Sequence, residues 1–156
     1  MSAPDFLEVE NTLFALLQPV LTDLGLVDGA GNPKLFSFDQ IREDVDVSEY
    51  APGVIIEFVT APQNNTENSR VLSCTQTWRC TVIADCLADT TKRAAQIAGP
   101  IIGAVIDAVN GYEISDSRVI NFAGITDSFV MPGYAEYPID FTVEYAQAGT
   151  GLTETL

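Results

Sequence analysis

The stretch Val71-Leu-Ser-Cys-Thr-Gln-Thr-Trp-Arg-Cys-Thr-Val-Ile-Ala-Asp-Cys-Leu87, with the run Asp89 to Asn110 that it feeds, decides the fold. Read as a strand, it places Cys74, Gln76, Trp78, Cys80, Val82, Ala84 and Cys86 on one face and Thr75, Thr77, Arg79, Thr81, Ile83 and Asp85 on the other. Successive side chains of an extended chain point to opposite sides, so the first face suits a core and the second largely suits water. Asp89-Thr90-Thr91 is good N-cap chemistry, Ala94, Ile97, Ala98, Ile101, Val105 and Val109 follow at helical spacing, and Asn110-Gly111 ends the run. A strand passing directly into an apolar helix requires the helix to lie back on the sheet. Trp78 is then expected against that helix, near Ile97, Ile101 or Val105. The helix is apolar almost all round and carries Gly99-Pro100 and Gly103 in its middle, which predicts burial on more than one side, a kink, or both.

Upstream, Ser2, Pro4 and Asp5 form a helix start, and Phe6, Val9, Leu13, Leu16, Leu17, Val20 and Leu24 line one stripe beside a second of Leu7, Phe14 and Leu21. Together the stripes cover more of the circumference than the roughly 100° one core contact needs. The excess fits either a broad core face or a second contact, with a neighbouring subunit. Pro19 is expected to kink or end the regular helix near Gln18, and Gly25 to close it. Asp28 to Pro33 reads as a turn, Phe36, Phe38 and Ile41 as a short strand or edge, and Gly53 to Thr60 as a strand inside the sheet. Downstream, strands are expected near Tyr112 to Phe129 and over Glu136 to Gln147, turned at Met131-Pro132-Gly133. In the last strand Tyr137, Ile139, Phe141, Val143 and Tyr145 face the core, opposite Glu136, Asp140, Thr142 and Glu144. These elements make an α+β fold in α-β-β-α-β-β order, an antiparallel or mixed sheet of about four to five strands flanked by an N-terminal and a central helix. Residues 1–147 form one domain, and 148–156 read as a flexible tail.

Seven basic and 22 acidic residues give the 156-residue chain a net charge of −15. Gripping nucleic acid needs clustered Lys and Arg, so this composition argues against it. The three cysteines are each six residues apart on one strand, roughly 20 Å at about 3.3 Å per residue. They can neither bridge one another nor share a metal there, and read as reduced, buried thiols of a cytoplasmic setting. No basic-then-apolar leader opens the sequence, and no unbroken apolar run reaches the roughly 18 residues of a membrane span.

Histidine is absent, which removes imidazole-based triads and most zinc sites. Neither a P-loop nor a dinucleotide-binding glycine pattern occurs. Asp44, Asp46 and Ser48 match the start of a calcium loop, but the glycine at the sixth position is missing and Ile55 stands where the bidentate Glu belongs. The cluster Glu43, Asp44, Asp46 and Glu49 therefore reads as a solvated loop. No cofactor and no enzymatic activity are expected.

The order of these elements, with Gln76-Thr77-Trp78-Arg79-Cys80-Thr81-Val82-Ile83 before the helix and Tyr137-Pro138-Ile139-Asp140-Phe141-Thr142-Val143-Glu144-Tyr145 at the end, resembles tail terminator and tail-completion (head-tail joining) proteins of tailed bacteriophages. The resemblance covers residues 4–147; the prolines inside both helices and the unusual acidity depart from it. It implies a structural virion subunit, assembled in the host cytoplasm into a ring, usually a hexamer. Such a ring stops growth of the tail tube and joins the tube protein below to the head connector above, with DNA only passing through. Two alternatives are another ring-forming neck or tube protein, and a cytoplasmic module with a small-molecule pocket beneath the central helix. A ring of acidic subunits needs apolar contacts and bases placed against a neighbour's carboxylates. Leu7, Phe14, Leu21, Arg70, Arg79, Lys92, Arg93 and Arg118 are the interface candidates. Glu43, Asp44, Asp46, Glu49, Glu136, Asp140 and Glu144 are expected to face the channel or the outside.

Overall fold

A computed structural model describes residues 5–41, 47–64, 71–86, 91–114 and 118–148. Six strands, β1 (Leu35–Ser37), β2 (Gly53–Thr60), β3 (Val71–Asp85), β4 (Asn121–Ile125), β5 (Phe129–Met131) and β6 (Tyr134–Ala148), form one sheet in the order β1-β2-β3-β6-β4, with β5 also pairing with β6. β1 runs parallel to β2 and every other pair is antiparallel. Helices α1 (Glu8–Asp23) and α2 (Ala94–Val109) pack side by side on one face, so the chain is α+β as its patterning requires.

The alternation in β3 becomes burial: Cys74, Gln76, Trp78, Cys80, Val82 and Ala84 are all buried under the helices. Trp78 shares its core with Val54, Ile56, Ile101, Val105 and Phe141, with Ile97 packed against it. Phe58 meets its ring edge-on, centroids 5.4 Å apart. Wholly buried Gln76 resolves two polar problems at once. Its Oε1 accepts the Trp78 indole N–H at 2.9 Å and its Nε2 donates to the Phe6 carbonyl at 2.7 Å, tying the entry of α1 to the sheet. Burial raises the Cys80 thiol to about 12, so it sits there as a small apolar group.

Several boundaries differ from expectation. α2 begins at Ala94 with Arg93 as its N-cap, where Gln96 Oε1 accepts the Arg93 N–H at 2.8 Å. The expected cap pair Asp89-Thr90 lies outside the described residues. α2 buries Ala94, Ala98, Ile101, Val105 and Val109 and leaves its opposite side open. Gly99, Pro100 and Gly103 are exposed, with no atom within 4 Å of a Cβ placed at either glycine, so they offer a smooth outer surface and no close contact within the chain. α1 continues through Pro19 to Asp23. Pro19 and Ala15 are both exposed, so water can satisfy the Ala15 carbonyl that Pro19 leaves without a donor. Gly25, at φ +74°, ends α1 as expected: the Leu26 N–H reaches back to the Leu21 carbonyl at 2.8 Å and the Gly25 N–H to Thr22 at 3.0 Å. Gly53 is required by close approach, since a Cβ there would lie 2.6 Å from the Lys34 carbonyl oxygen.

The strand expected over Tyr112 to Phe129 is two short strands, broken around Asp127 at φ +46°, and together they flank β6. β6 itself extends through Ala148; residues 149–156 lie outside the described residues.

Candidate functional site

The face of the sheet away from the helices is partly open. Register places Glu57 opposite Arg79 and Arg79 opposite Asp140, so three neighbouring strands line up acid, base and acid. The guanidinium grips Asp140 in a fork, Nε to Oδ1 at 2.8 Å and Nη2 to Oδ2 at 3.2 Å, with Glu57 Oε1 4.0 Å from Nη1. The hydrogen bond to Asp140 holds the Arg79 pKa above its ordinary value. Burial raises the Glu57 carboxyl, an effect that Arg79 opposes and Asp140 reinforces. Burial also raises the Glu136 carboxyl, an effect that the nearby Tyr134 hydroxyl opposes. Further along β6, Glu144 Oε2 accepts from Asn64 Nδ2 at 3.1 Å. Phe38 and Ile55 on one side and Phe129 and Pro138 on the other wall a cavity of about 230 Å³ over this ladder. It lies across the sheet from α2, not beneath it.

The outer margin of β6 carries several exposed apolar side chains. β4 and β5 follow one another along it, covering Ile139 to Thr142 and Tyr134 to Glu136 respectively. Phe122 (40%), Ile125 (42%), Phe129 (51%), Val130 (65%) and Met131 (49%) all remain open to solvent there. Among the described residues no strand pairs beyond β4 and β5. A bulge between Phe122 and Gly124 interrupts the ladder, a device common at sheet edges. Beside β5, Val130, Met131 and Gly133 face Cys86, Lys92, Arg93, Ala94 and Ala95 across a groove of about 340 Å³. At the opposite margin, Leu7, Phe38 and Phe58 are exposed around a hollow of about 220 Å³ that Glu10 and Asp39 also line.

The residues singled out from sequence divide accordingly. Leu7 is exposed, Phe14 is half-buried against the core, and Leu21 is wholly buried, which corrects its assignment to a subunit contact. Arg79 and Arg118 are engaged within the chain, with Asp140 and with Glu8. Lys92 and Arg93 are exposed beside the β5 groove. Glu136, Asp140 and Glu144 do share the open face, although Asp140 is taken up by Arg79. Glu49 is exposed; Arg70, Glu43, Asp44 and Asp46 lie outside the described residues. The sequence reading missed the β5 row. Its only signal was the unbroken apolar triplet Phe129-Val130-Met131 before a Pro-Gly turn. Among the described residues, no group of three or more Cys, Asp or Glu is arranged to hold a metal ion, and no helix is long and apolar enough to cross a membrane.

No protein-family model matches the chain, and no curated protein matches it in sequence. Among solved structures, a chain of a particle described as the virion of a native gene transfer agent (GTA) superposes with a TM-score of 0.47 at 13% identity, over 90% of this chain and 89% of that chain.

Proposed function

We propose that this protein is a structural, non-catalytic subunit of a tailed-phage-type virion, a ring at the head-proximal end of the tail that ends the tube and joins it to the head connector. The observation that carries the reading is the uncovered β4–β5 margin, with its five apolar side chains between 40% and 65% exposed on a chain of net charge −15. A strand edge that is both apolar and unpaired is a liability unless a partner covers it, whereas the acidity elsewhere keeps the free subunit soluble. The resemblance in element order supplies the ring and its neighbours in the tail. An acidic open face carrying Glu136 and Glu144 suits a channel through which DNA passes without being gripped, because like charges repel.

The test is sedimentation of the purified chain across salt and protein concentration, with electron microscopy of any large species. Added salt is expected to promote assembly, since it screens repulsion over about 8–10 Å. A chain that stays monomeric throughout, and that tail-tube protein does not recruit, overturns the reading.

A further inference from the structure

We propose that successive copies of this chain dock head to tail, the β4–β5 margin of one against the Phe38 margin of the next. The proposal names the partner surface for the ring above and rests on that reading. Both margins expose apolar side chains, Val130 and Met131 at one and Leu7 and Phe38 at the other. The two hollows are lined by opposite charge, with Asp127 the acid on the margin between β4 and β5. Lys92 and Arg93 border the Val130 groove, while Glu10 and Asp39 border the Phe38 hollow.

Charge selects the pairing. Two β5 margins brought together would set Lys92 and Arg93 against their own copies, and two Phe38 margins would set acids against acids, whereas the mixed contact joins base to acid around an apolar centre. The margins lie at opposite ends of the strand order, so the contact is heterologous. A docked pair leaves one free margin of each kind, and repetition with a closing rotation makes a ring.

The experiment uses two variants of the full chain, Val130→Asp and Phe38→Asp, at positions 65% and 59% exposed. Trp78 fluorescence and thermal melting establish that both fold. By sedimentation velocity each alone is expected to be monomeric under conditions where the natural chain forms rings. Their equimolar mixture is expected to give a heterodimer and nothing larger, because each supplies one intact margin of opposite kind. Rings from either variant, or no heterodimer from the mixture, overturn the docking mode while leaving the ring reading intact. A natural chain that forms no ring, alone or with tail-tube protein, overturns both. Should either variant misfold, Arg93→Glu and Asp39→Lys replace them: each alone is expected to weaken association tenfold or more, and the two combined in one chain to recover most of it. Failure of that recovery overturns the proposal.

Discussion

Replacing Trp78 by Phe tests whether the buried side-chain pair at the centre of β3 holds the domain together. The indole is 1% exposed and Gln76 is wholly buried. The smaller ring therefore leaves both a void and a stranded acceptor, Gln76 Oε1, which accepts the indole N–H at 2.9 Å. Losing about 40 Å³ of ring at about 24 cal/mol per Å³ costs about 1 kcal/mol. A buried acceptor without a donor costs about 1–3 kcal/mol more. The sum, about 2–4 kcal/mol, is a large share of a typical domain stability of about 5–15 kcal/mol. Trp78→Ala removes the contact with Phe58 as well and is expected to cost about 4–8 kcal/mol, enough to unfold a marginal domain. The assay is urea denaturation followed by far-ultraviolet circular dichroism, because Trp78 is the one tryptophan and fluorescence vanishes with it. With a urea dependence of about 2 kcal/mol per molar, the Phe variant should unfold at a midpoint about 1–2 M lower. The decisive control is Gln76→Met. In that background Trp78→Phe strands nothing and should cost at least about 1 kcal/mol less than in the natural chain. A Phe variant within about 0.5 kcal/mol of the natural protein, or equal penalties in both backgrounds, would refute the account.

Other consequences are open to measurement. Glu136 binds its proton more tightly folded than unfolded, so the folded chain holds the extra proton in the window above the ordinary value of 4.5. Relative to Glu136→Gln, the natural protein should lose stability as pH rises through that window and run parallel above it, which a pH series of thermal melts reads directly. An opposite slope would mean that the carboxyl is stabilised as its anion. The fork between Arg79 and Asp140 should give a coupling of about 0.5–1.5 kcal/mol in a double-mutant cycle of Arg79→Ala and Asp140→Ala, modest because the arginine side chain is 28% exposed. A coupling near zero would make the pair incidental. In native protein a thiol reagent should modify half-buried Cys86 first and leave Cys80 untouched until unfolding, since Cys80 is inaccessible and its pKa is raised to about 12. Mass spectrometry after brief labelling identifies the modified residue.

Alternation and helical spacing are local properties of the chain, so the parts of the fold that depend on them were legible in advance. Cys74 to Ala84 on the core face, the core side of β6, and the end of α1 at Gly25 all follow from one repeat meeting one apolar interior. The start of α2 was less legible: Asp89-Thr90-Thr91 and Arg93 can both open a helix, and the structure begins it after Arg93. For a related reason Pro19 does not end α1 near Gln18. A helix tolerates Pro19 and Pro100 on its wet side, and which side is wet depends on what packs against it.

The candidate surfaces were the least legible part, because burial and pairing are relations between distant segments. Leu21 in α1 and Leu7 at its N-cap have the same chemistry, yet one is wholly buried in the core and the other is 46% exposed. Arg79 and Arg118 looked available until strand register set Asp140 beside one and the fold set Glu8 beside the other, 110 residues away in sequence. The sequence by itself determined the two-layer α+β plan, the identity of the central strand and the acidity of the outward face of β6, since these need only periodicity and composition. Tertiary structure alone decided that β4 and β5 share the outer margin of β6, that their apolar residues are exposed, and that Lys92 and Arg93 line the groove beside β5 while Glu10 and Asp39 line the Phe38 hollow. Those facts arise from which strands become neighbours, and long-range pairing is set by the free energy of the whole packed chain, not by any local repeat.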